Sequence, residues 1–575
     1  MCGIAGVVLN KKSNIKELEE AIRKINISQK NRGPDDEGFF IFEDGVFGHR
    51  RLSILDLSKK GHQPMNFQDF LITFNGEIYN FLELKKELEK KGYKFETRTD
   101  TEVILALYAE YGETSFSMLR GMFAFGLWDG EKRKLFLVKD RYGIKPLYYY
   151  ADNEKIIFTS TVKAISESGL ISTKKNPEAF IGFLLLGSVP LPMTTIKNVF
   201  AVPAGHYLVC ENDGSQKLIQ YYDPLKFYQQ KIKESQHESI ILEIRHRLEE
   251  SINFHLISDA PLGVFLSGGL DSSVIAALAA RNREKPITTL SIIFDEKEFS
   301  EEYYSDLMAK KIKSDHRKIK ITKQDFFESF DEIFEAMDQP TIDGVNTFFI
   351  AKAAKQAGLK TVLSGLGADE IFLGYSHFKK AALLRKIQSL PKFLKSPLNL
   401  FSLFGDRYSK LNYFANDDIL SFYLGIRGLF SPEETAKILG INIQEINIFI
   451  NKLLQSQQLE QLYSVDLLSY LELKFYLQNQ LLKDTDFMSM YHSVEVRVPF
   501  LDYYLVEYLS SLPPESKIDK VVNKPLLVES VCDLLPKEIF TRPKMGFTFP
   551  FQKWLPSGKL YWSRFWAKKV LSKWQ

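Results

Sequence analysis

Two groups of residues, far apart in the chain, have types and spacings that could do chemistry. Cys2 becomes the first residue once Met1 is removed, which places an α-amine beside the thiol. The reference pKa of an α-amine is about 8, so a useful neutral fraction can serve as the thiol's base, directly or through water. One residue then supplies nucleophile and base. Taken alone, Cys2 is as readily a small buried hydrophobe. Its company is Arg50-Arg51-Leu52-Ser53-Ile54, Asn75-Gly76-Glu77-Ile78-Tyr79-Asn80 and Thr99-Asp100-Thr101-Glu102. Hydrolysis of glutamine's side-chain amide requires recognition of both charged α-groups. Arg51 can grip the α-carboxylate bidentately, Asp100 and Glu77 can hold the α-ammonium, and the Asn75 amide with the Gly76 N–H can form an oxyanion hole. Individually, an Asn-Gly pair is more often a hairpin turn, and Arg51 or Asp100 a solvated charge.

The second group is Leu266-Ser267-Gly268-Gly269-Leu270-Asp271-Ser272-Ser273, directly after an apolar run and before the helical pattern Val274 to Leu278. Glycines let the backbone approach a phosphate, hydroxyl and N–H groups at a helix N-terminus bind anionic oxygens, and Asp271 can help to hold Mg²⁺. The loop differs from the Gly-Lys-Ser/Thr type that works at the terminal phosphate. Ser364-Gly365-Leu366-Gly367-Ala368-Asp369-Glu370, after the run Thr361 to Leu363, forms a second glycine turn. Asp369 is a second Mg²⁺ candidate.

The elements that must carry these groups change character along the chain. Up to about residue 165, short β-like runs (Ile4 to Leu9, Phe70 to Phe74, Phe123 to Trp128, Leu135 to Lys139, Lys155 to Ser160) are interrupted by helical patterns at Phe81 to Lys91 and Thr101 to Tyr111. Further strand-like segments fall near Val199 to Tyr207 and Gln220 to Tyr222. A Gln/Lys/Glu-rich stretch then marks a division, giving expected domains 1–223 and 224–575. Beyond it, Ile241, Ile244, Leu248 and Ile252 recur at helical spacing, and apolar runs near residues 263, 289 and 361 alternate with helix-length segments. That alternation predicts βαβ units and a parallel sheet with ligands at the strand C-termini. From about Ser376 onward the pattern is helical.

Taken together, the first group resembles the N-terminal-nucleophile glutaminase domain of class II amidotransferases. The match includes Met-Cys-Gly-Ile, Arg32-Gly33-Pro34-Asp35, Gly121 to Phe125 and Asp140 to Tyr148. The second resembles the adenylating ATP pyrophosphatases, and Asp338-Gln339-Pro340, Val494 to Asp502 and Arg542-Pro543-Lys544-Met545-Gly546-Phe547 extend the likeness to the asparagine synthetases. The resemblance implies an α+β N-terminal-nucleophile sandwich followed by an α/β parallel-sheet ATP pyrophosphatase domain with a helical C-terminal part. It implies ATP and Mg²⁺ as cofactors, and glutamine, ATP and a carboxylate, most simply aspartate, as substrates. Ile54 then joins the glutamine pocket, Lys544 stabilises charge on the adenylate and pyrophosphate, Tyr375 occupies an active-site position, and Ile293 with Ser364 and Gly365 joins the ATP-binding set.

Four positions depart from the family pattern. Asn31 stands where His commonly precedes Arg-Gly-Pro-Asp, Thr161 where Glu is usual, Leu366 where an acid is usual, and Leu373 where Gly is usual. Leucine at 366 keeps a second acceptor open, such as a uronic acid in a surface polysaccharide, and Asp484-Thr485-Asp486 resembles a segment of asparagine-synthetase-like proteins with bacterial surface-polysaccharide functions. A non-catalytic or glutaminase-only relative is a third reading.

Bulk properties bound the rest. Lys plus Arg number 75 and Asp plus Glu 72, so no general attraction to nucleic acid is expected. Three cysteines are too few for a disulfide framework, the N-terminus has no export signal, and the expected home is the cytoplasm. No apolar run spans a bilayer, the nine histidines show no metal-ligand spacing, and homodimerisation stays open. Trp554, Trp562, Trp566 and Trp574, interleaved with lysines, fit either a helix docked on its own domain or one lying on a membrane or a partner. Residues 379–404 read as a helical insertion, with contact to a membrane surface as the minor alternative.

Overall fold

A computed structural model describes residues 2–10, 15–211, 213–232, 236–281, 285–391, 409–453, 459–546, 548–558 and 560–574. The N-terminal part is a sandwich of two six-stranded antiparallel sheets. The first runs, edge to edge, Val199–Ala201, Tyr148–Ala151, Lys155–Thr159, Gly3–Leu9, Gly45–Arg51 and Asp36–Phe42. The second runs Gln216–Gln220, His206–Glu211, Lys134–Lys139, Gly121–Asp129, Phe70–Ile78 and Met65–Phe67. Ile4, Val8 and Phe47 of the first face Leu71, Trp128, Leu135 and Leu137 of the second across an apolar core. Helix Ile15–Ser28 covers the outer face of the first sheet, and helices Phe81–Lys90 and Asp100–Tyr111 that of the second.

Gly3–Leu9 is buried on both faces, as a central strand between a helix and a second sheet must be. Gly6 is required there, because a Cβ would lie 2.2 Å from the Phe158 ring. Strands Asp36–Phe42 and Gly45–Arg51 went unread in the sequence, where glycines and charges break their apolar alternation.

The second half is built on five parallel strands in the order Asp315–Lys320, Thr288–Ile293, Leu262–Phe265, Thr361–Leu363, Glu495–Arg497. Chain direction along the sheet reverses between Leu262–Phe265 and Thr361–Leu363, which opens a crevice at their C-terminal ends. The glycine turns at 267–270 and 364–367 leave from those two ends. Both edge strands escaped the sequence reading. Asp315–Lys320 is mostly exposed and charged, as an unpaired edge tends to be. Glu495–Arg497 is wholly buried despite its charges.

The rest is helical from Ala381–Gln388 onward; residues 392–404 of the expected insertion lie outside the described ones. Glu472–Leu481 is π-helical. The tryptophan-rich helix Trp562–Trp574 docks on its own half. Trp566 is 1% exposed, between Phe330, Phe334 and Phe551, and Trp554 is also buried. Its aromatic face is therefore core and not a membrane surface. Among the described residues, no helix is long and apolar enough to cross a membrane.

Candidate active sites

Cys2 starts the central strand of the first sheet, 7% exposed. Its nitrogen donates to Asn75 Oδ1 at 2.8 Å, which ties the two sheets together at the nucleophile. Asn75 Nδ2 is buried with no partner among the described residues, a donor held ready beside the thiol. The Asn-Gly pair is no hairpin: it sits inside strand Phe70–Ile78. Gly76 has φ +147, and a Cβ would lie 2.1 Å from the Met122 carbonyl oxygen. Burial pushes the Cys2 thiol above its ordinary range, against the pull of the nearby Arg51, so the thiol needs a base to react.

Arg51 is buried, and Nη1 and Nη2 donate to the carbonyls of Ser58, Leu55 and Asp56. It thereby fixes the loop that follows its own strand. Asp100 opens helix Asp100–Tyr111, accepts the Ile78 N–H at 2.9 Å, and has its carboxyl pushed up to about 7 by burial. Glu77, expected beside glutamine's ammonium, instead faces Arg497 Nη2 at 3.3 Å, across from the parallel sheet. Burial raises the Glu77 carboxyl and Arg497 opposes the rise. Ile54 packs with Leu52 and Met490 in a small apolar cluster joining the halves.

That junction is polar and closely made. Arg32 donates from Nε to the Cys2 carbonyl at 3.1 Å and from Nη1 and Nη2 to Asp486 at 2.7 and 3.3 Å. Arg120 pairs with Asp502 at 2.7 Å. Thr161 caps helix Val162–Glu167, and Asp338 from the other half accepts the next two N–H groups, of Val162 and Lys163. The departure at 161 therefore preserves a helix terminus that docks on a carboxylate. At the other departure, the Asn31 carbonyl accepts the Ser493 hydroxyl.

In the parallel half a cavity of about 630 Å³ opens at the sheet's crevice. It is bounded by Leu266, Ser267, Asp271 and Ser272 on one side and by Ser364, Gly365, Leu366 and Asp369 on the other. The Ser267 and Ser272 hydroxyls lie 3.0 Å apart, and Gly269 N–H donates to Ser267 Oγ. Gly268 has φ +81, and a Cβ would crowd Tyr304 and Ser305. Gly268, Gly269, Leu270 and Ser273 shape the turn and helix behind the wall. Ser291 and Ile292 line the cavity at the end of the second strand, while Ile293 closes that strand, its carbonyl taken by the Ile321 N–H.

Asp271 and Asp369 converge on one ammonium, Lys524 Nζ, at 2.5 and 2.6 Å, and Lys544 Nζ reaches Asp369 at 2.6 Å. Burial opposes ionisation of Asp369, yet the two lysines hold its carboxyl down at about 2. No group of three or more metal-ligating side chains occurs among the described residues. Two carboxylates beside a phosphate cradle nevertheless fit Mg²⁺, which takes one or two protein carboxylates and completes its shell with phosphate and water. Lys524 is a residue that sequence reasoning missed. It is buried, with φ +54, and nothing in Val522-Asn523-Lys524-Pro525 marks it.

Tyr375 donates to Glu370 Oε1 at 2.7 Å, and its ring lies under both Lys544 and Arg427. Leu373 adopts φ +58, a left-handed conformation that favours glycine, so substitution there has kept the turn at a cost of about 1 kcal/mol. The far wall comes from the π-helix, which presents Phe475, Tyr476, Gln480 and Leu481; such wide turns cluster at functional sites. Composition gave no hint of it.

An antiparallel sandwich with Cys2 at the head of a central strand, fused to a parallel sheet with glycine turns, carboxylates and lysines at its switch point, is the architecture of a two-site enzyme class. Comparison with known proteins agrees. The asparagine synthase family model matches residues 243–575, and the glutamine amidotransferase domain model matches residues 1–222. The chain belongs to the asparagine synthase family. It is 32% identical to asparagine synthetase (glutamine-hydrolysing) 1 of Bacillus subtilis (strain 168), over 98% of this chain and 89% of that protein. It is 31% identical to asparagine synthetase (glutamine-hydrolysing) 3 of the same strain, over 95% and 87%. To amidase chry2 of Gibberella zeae the identity is 29%, over 98% and 90%.

Proposed function

We propose that this chain is a glutamine-dependent amidotransferase that hydrolyses glutamine at Cys2 and delivers the ammonia to a carboxylate adenylated by ATP, making asparagine from aspartate. The observation that carries the reading is one helix shared by both sites. In Leu482–Tyr491, Asp484 and Thr485 line the nucleotide cavity, while Asp486 holds the arginine that touches the Cys2 carbonyl.

The Cys2 sulfur attacks the side-chain carbonyl of glutamine, its proton passing through the α-amine to the departing ammonia. Asn75 and Gly76 steady the oxyanion, Arg51 and Asp100 hold the α-groups, and water releases glutamate from the thioester. At the second site an oxygen of the acceptor carboxylate attacks the α-phosphorus of ATP and pyrophosphate leaves. Ser267, Gly269 and Ser272 cradle the phosphates, with Lys524 and Lys544 offsetting their charge. Mg²⁺, held by Asp271 and Asp369, would supply further charge neutralisation on the leaving pyrophosphate. Ammonia then displaces AMP from the acyl group. In bulk water ammonia is mostly ammonium, so the contact between the halves has to shelter its passage.

Leu366 and the aromatic wall of Tyr375, Tyr423, Phe475 and Tyr476 favour a second reading, in which a ring-bearing acid such as a uronic acid is amidated. The deciding assay supplies glutamine, ATP and Mg²⁺ with aspartate or with sugar acids, and follows glutamate, AMP and pyrophosphate. AMP with aspartate supports the first reading, and AMP only with a sugar acid supports the second. ADP as the nucleotide product, or glutamate release with ATP unbound, refutes both.

A further inference from the structure

The second half-reaction leaves one proton to place. When ammonia adds to the acyl carbon, the new C–N bond leaves nitrogen positively charged, and it must shed a proton as the C–O bond to AMP breaks. Position 366 is leucine and has nothing to accept it.

Five carboxyl groups line the cavity: Asp271, Asp343, Asp369, Glu370 and Asp484. Asp271 and Asp369 are ion-paired with Lys524. Glu370 accepts the Tyr375 hydroxyl, and Asp343 Oδ1 accepts the Gly344 N–H at 2.8 Å. Asp484 differs. Its Oδ2 accepts the Thr341 hydroxyl at 2.6 Å, whereas Oδ1 is buried with no partner among the described residues. A buried oxygen left unsatisfied beside a cavity calls for an occupant.

Its place matches the route of the nucleophile. Leu186, the last residue of helix Pro177–Leu186 in the N-terminal half, lines the same cavity, the Ile342 N–H donates to the Gly187 carbonyl, and Lys483 Nζ donates to the Val189 carbonyl. Asp484 therefore stands where this segment of the N-terminal half closes the cavity, two residues from the Asp486–Arg32–Cys2 contact. We propose that Asp484 is the catalytic base of the amide-forming step, taking the proton from ammonia as it adds to the acyl-adenylate. The inference rests on the amidotransferase reading above. The groups facing Asp484 set its affinity for that proton: burial raises its pKa well above the ordinary range, the Asp343 charge adds to the rise, and Lys483 with the Thr341 hydroxyl opposes it.

The test uses the full chain with ATP, Mg²⁺ and ammonium chloride in place of glutamine, and aspartate or galacturonate as the acid. Pyrophosphate–ATP exchange reads adenylation alone, and amide formation reads both steps. Asp484→Asn is expected to lower amide formation by about 100-fold while exchange stays within about threefold, because only the proton transfer is lost. Asp484→Glu recovers part of the rate, and the rising pH limb seen in the wild type disappears in Asp484→Asn. Amide formation at the wild-type rate in Asp484→Asn, or equal loss of exchange, overturns the assignment. So does selective loss of the amide step in Glu370→Gln or Asp343→Asn with Asp484→Asn intact. A wild-type protein that forms no AMP from either acid instead removes the underlying reading.

Discussion

Asp486→Asn tests whether the two halves are held together at the glutaminase site. Arg32 and Asp486 are 5% and 3% exposed, so the substitution leaves a buried guanidinium with no carboxylate partner. Breaking a buried pair from one side costs about 3–5 kcal/mol. Asparagine keeps an acceptor for one N–H, which puts the expectation near the lower end, about 3 kcal/mol, or roughly 150-fold in the equilibrium between docked and opened forms. Urea unfolding measures the stability term, and the ratio of glutamate released to AMP formed measures the functional one. The ratio should rise well above one per turnover, because ammonia escapes from an opened junction. The double variant Arg32→Met, Asp486→Leu removes both charges and should recover most of the lost stability. A double-mutant cycle with no coupling energy, or a single variant with wild-type stability and unchanged stoichiometry, refutes the reasoning.

Gly76→Ala should lower glutaminase activity by about 100-fold or more, because the clash with the Met122 carbonyl shifts the strand and moves the residue's N–H out of line with the oxyanion, while ammonia-dependent synthesis survives; steady-state assays with each nitrogen source check this. Asp100 has a carboxyl pushed up to about 7, so it is protonated below that pH and charged above it. kcat/KM for glutamine should therefore climb as pH rises through neutrality, and Asp100→Asn should flatten that limb of the profile. Trp566→Ala should cost about 3–5 kcal/mol, since the ring is buried among several aromatics, and thermal unfolding followed by fluorescence reads it.

The neighbourhood of Cys2 was legible because its parts are local in sequence. Asn75, Gly76 and Glu77 sit on one strand, Arg51 ends another, and Asp100 begins a helix, so short motifs carry most of the residues proposed to hold glutamine. Glu77 shows the limit, since its partner Arg497 is four hundred residues away and only tertiary structure joins them. The ATP turn was legible for the same reason as Asn75. Lys524 was not, because its role comes from a left-handed backbone that aims one ammonium between two distant carboxylates. The π-helix has no compositional signature, and its wall of Phe475 and Tyr476 reads as an ordinary helical core. For the C-terminal tryptophans, an amphipathic pattern is the same on a membrane as on a protein. Packing around Trp566 decided between them.

Arg497 and Glu495 lie on an edge strand of the nucleotide-binding sheet, yet Arg497 faces Glu77 and the Glu495 charge opposes ionisation of the Cys2 thiol. A ribosome completes the sandwich long before it reaches that strand. The newly made sandwich thus emerges before the residues that face Glu77 and Cys2 from the other half, and a fragment released early would lack the Arg497 partner of Glu77.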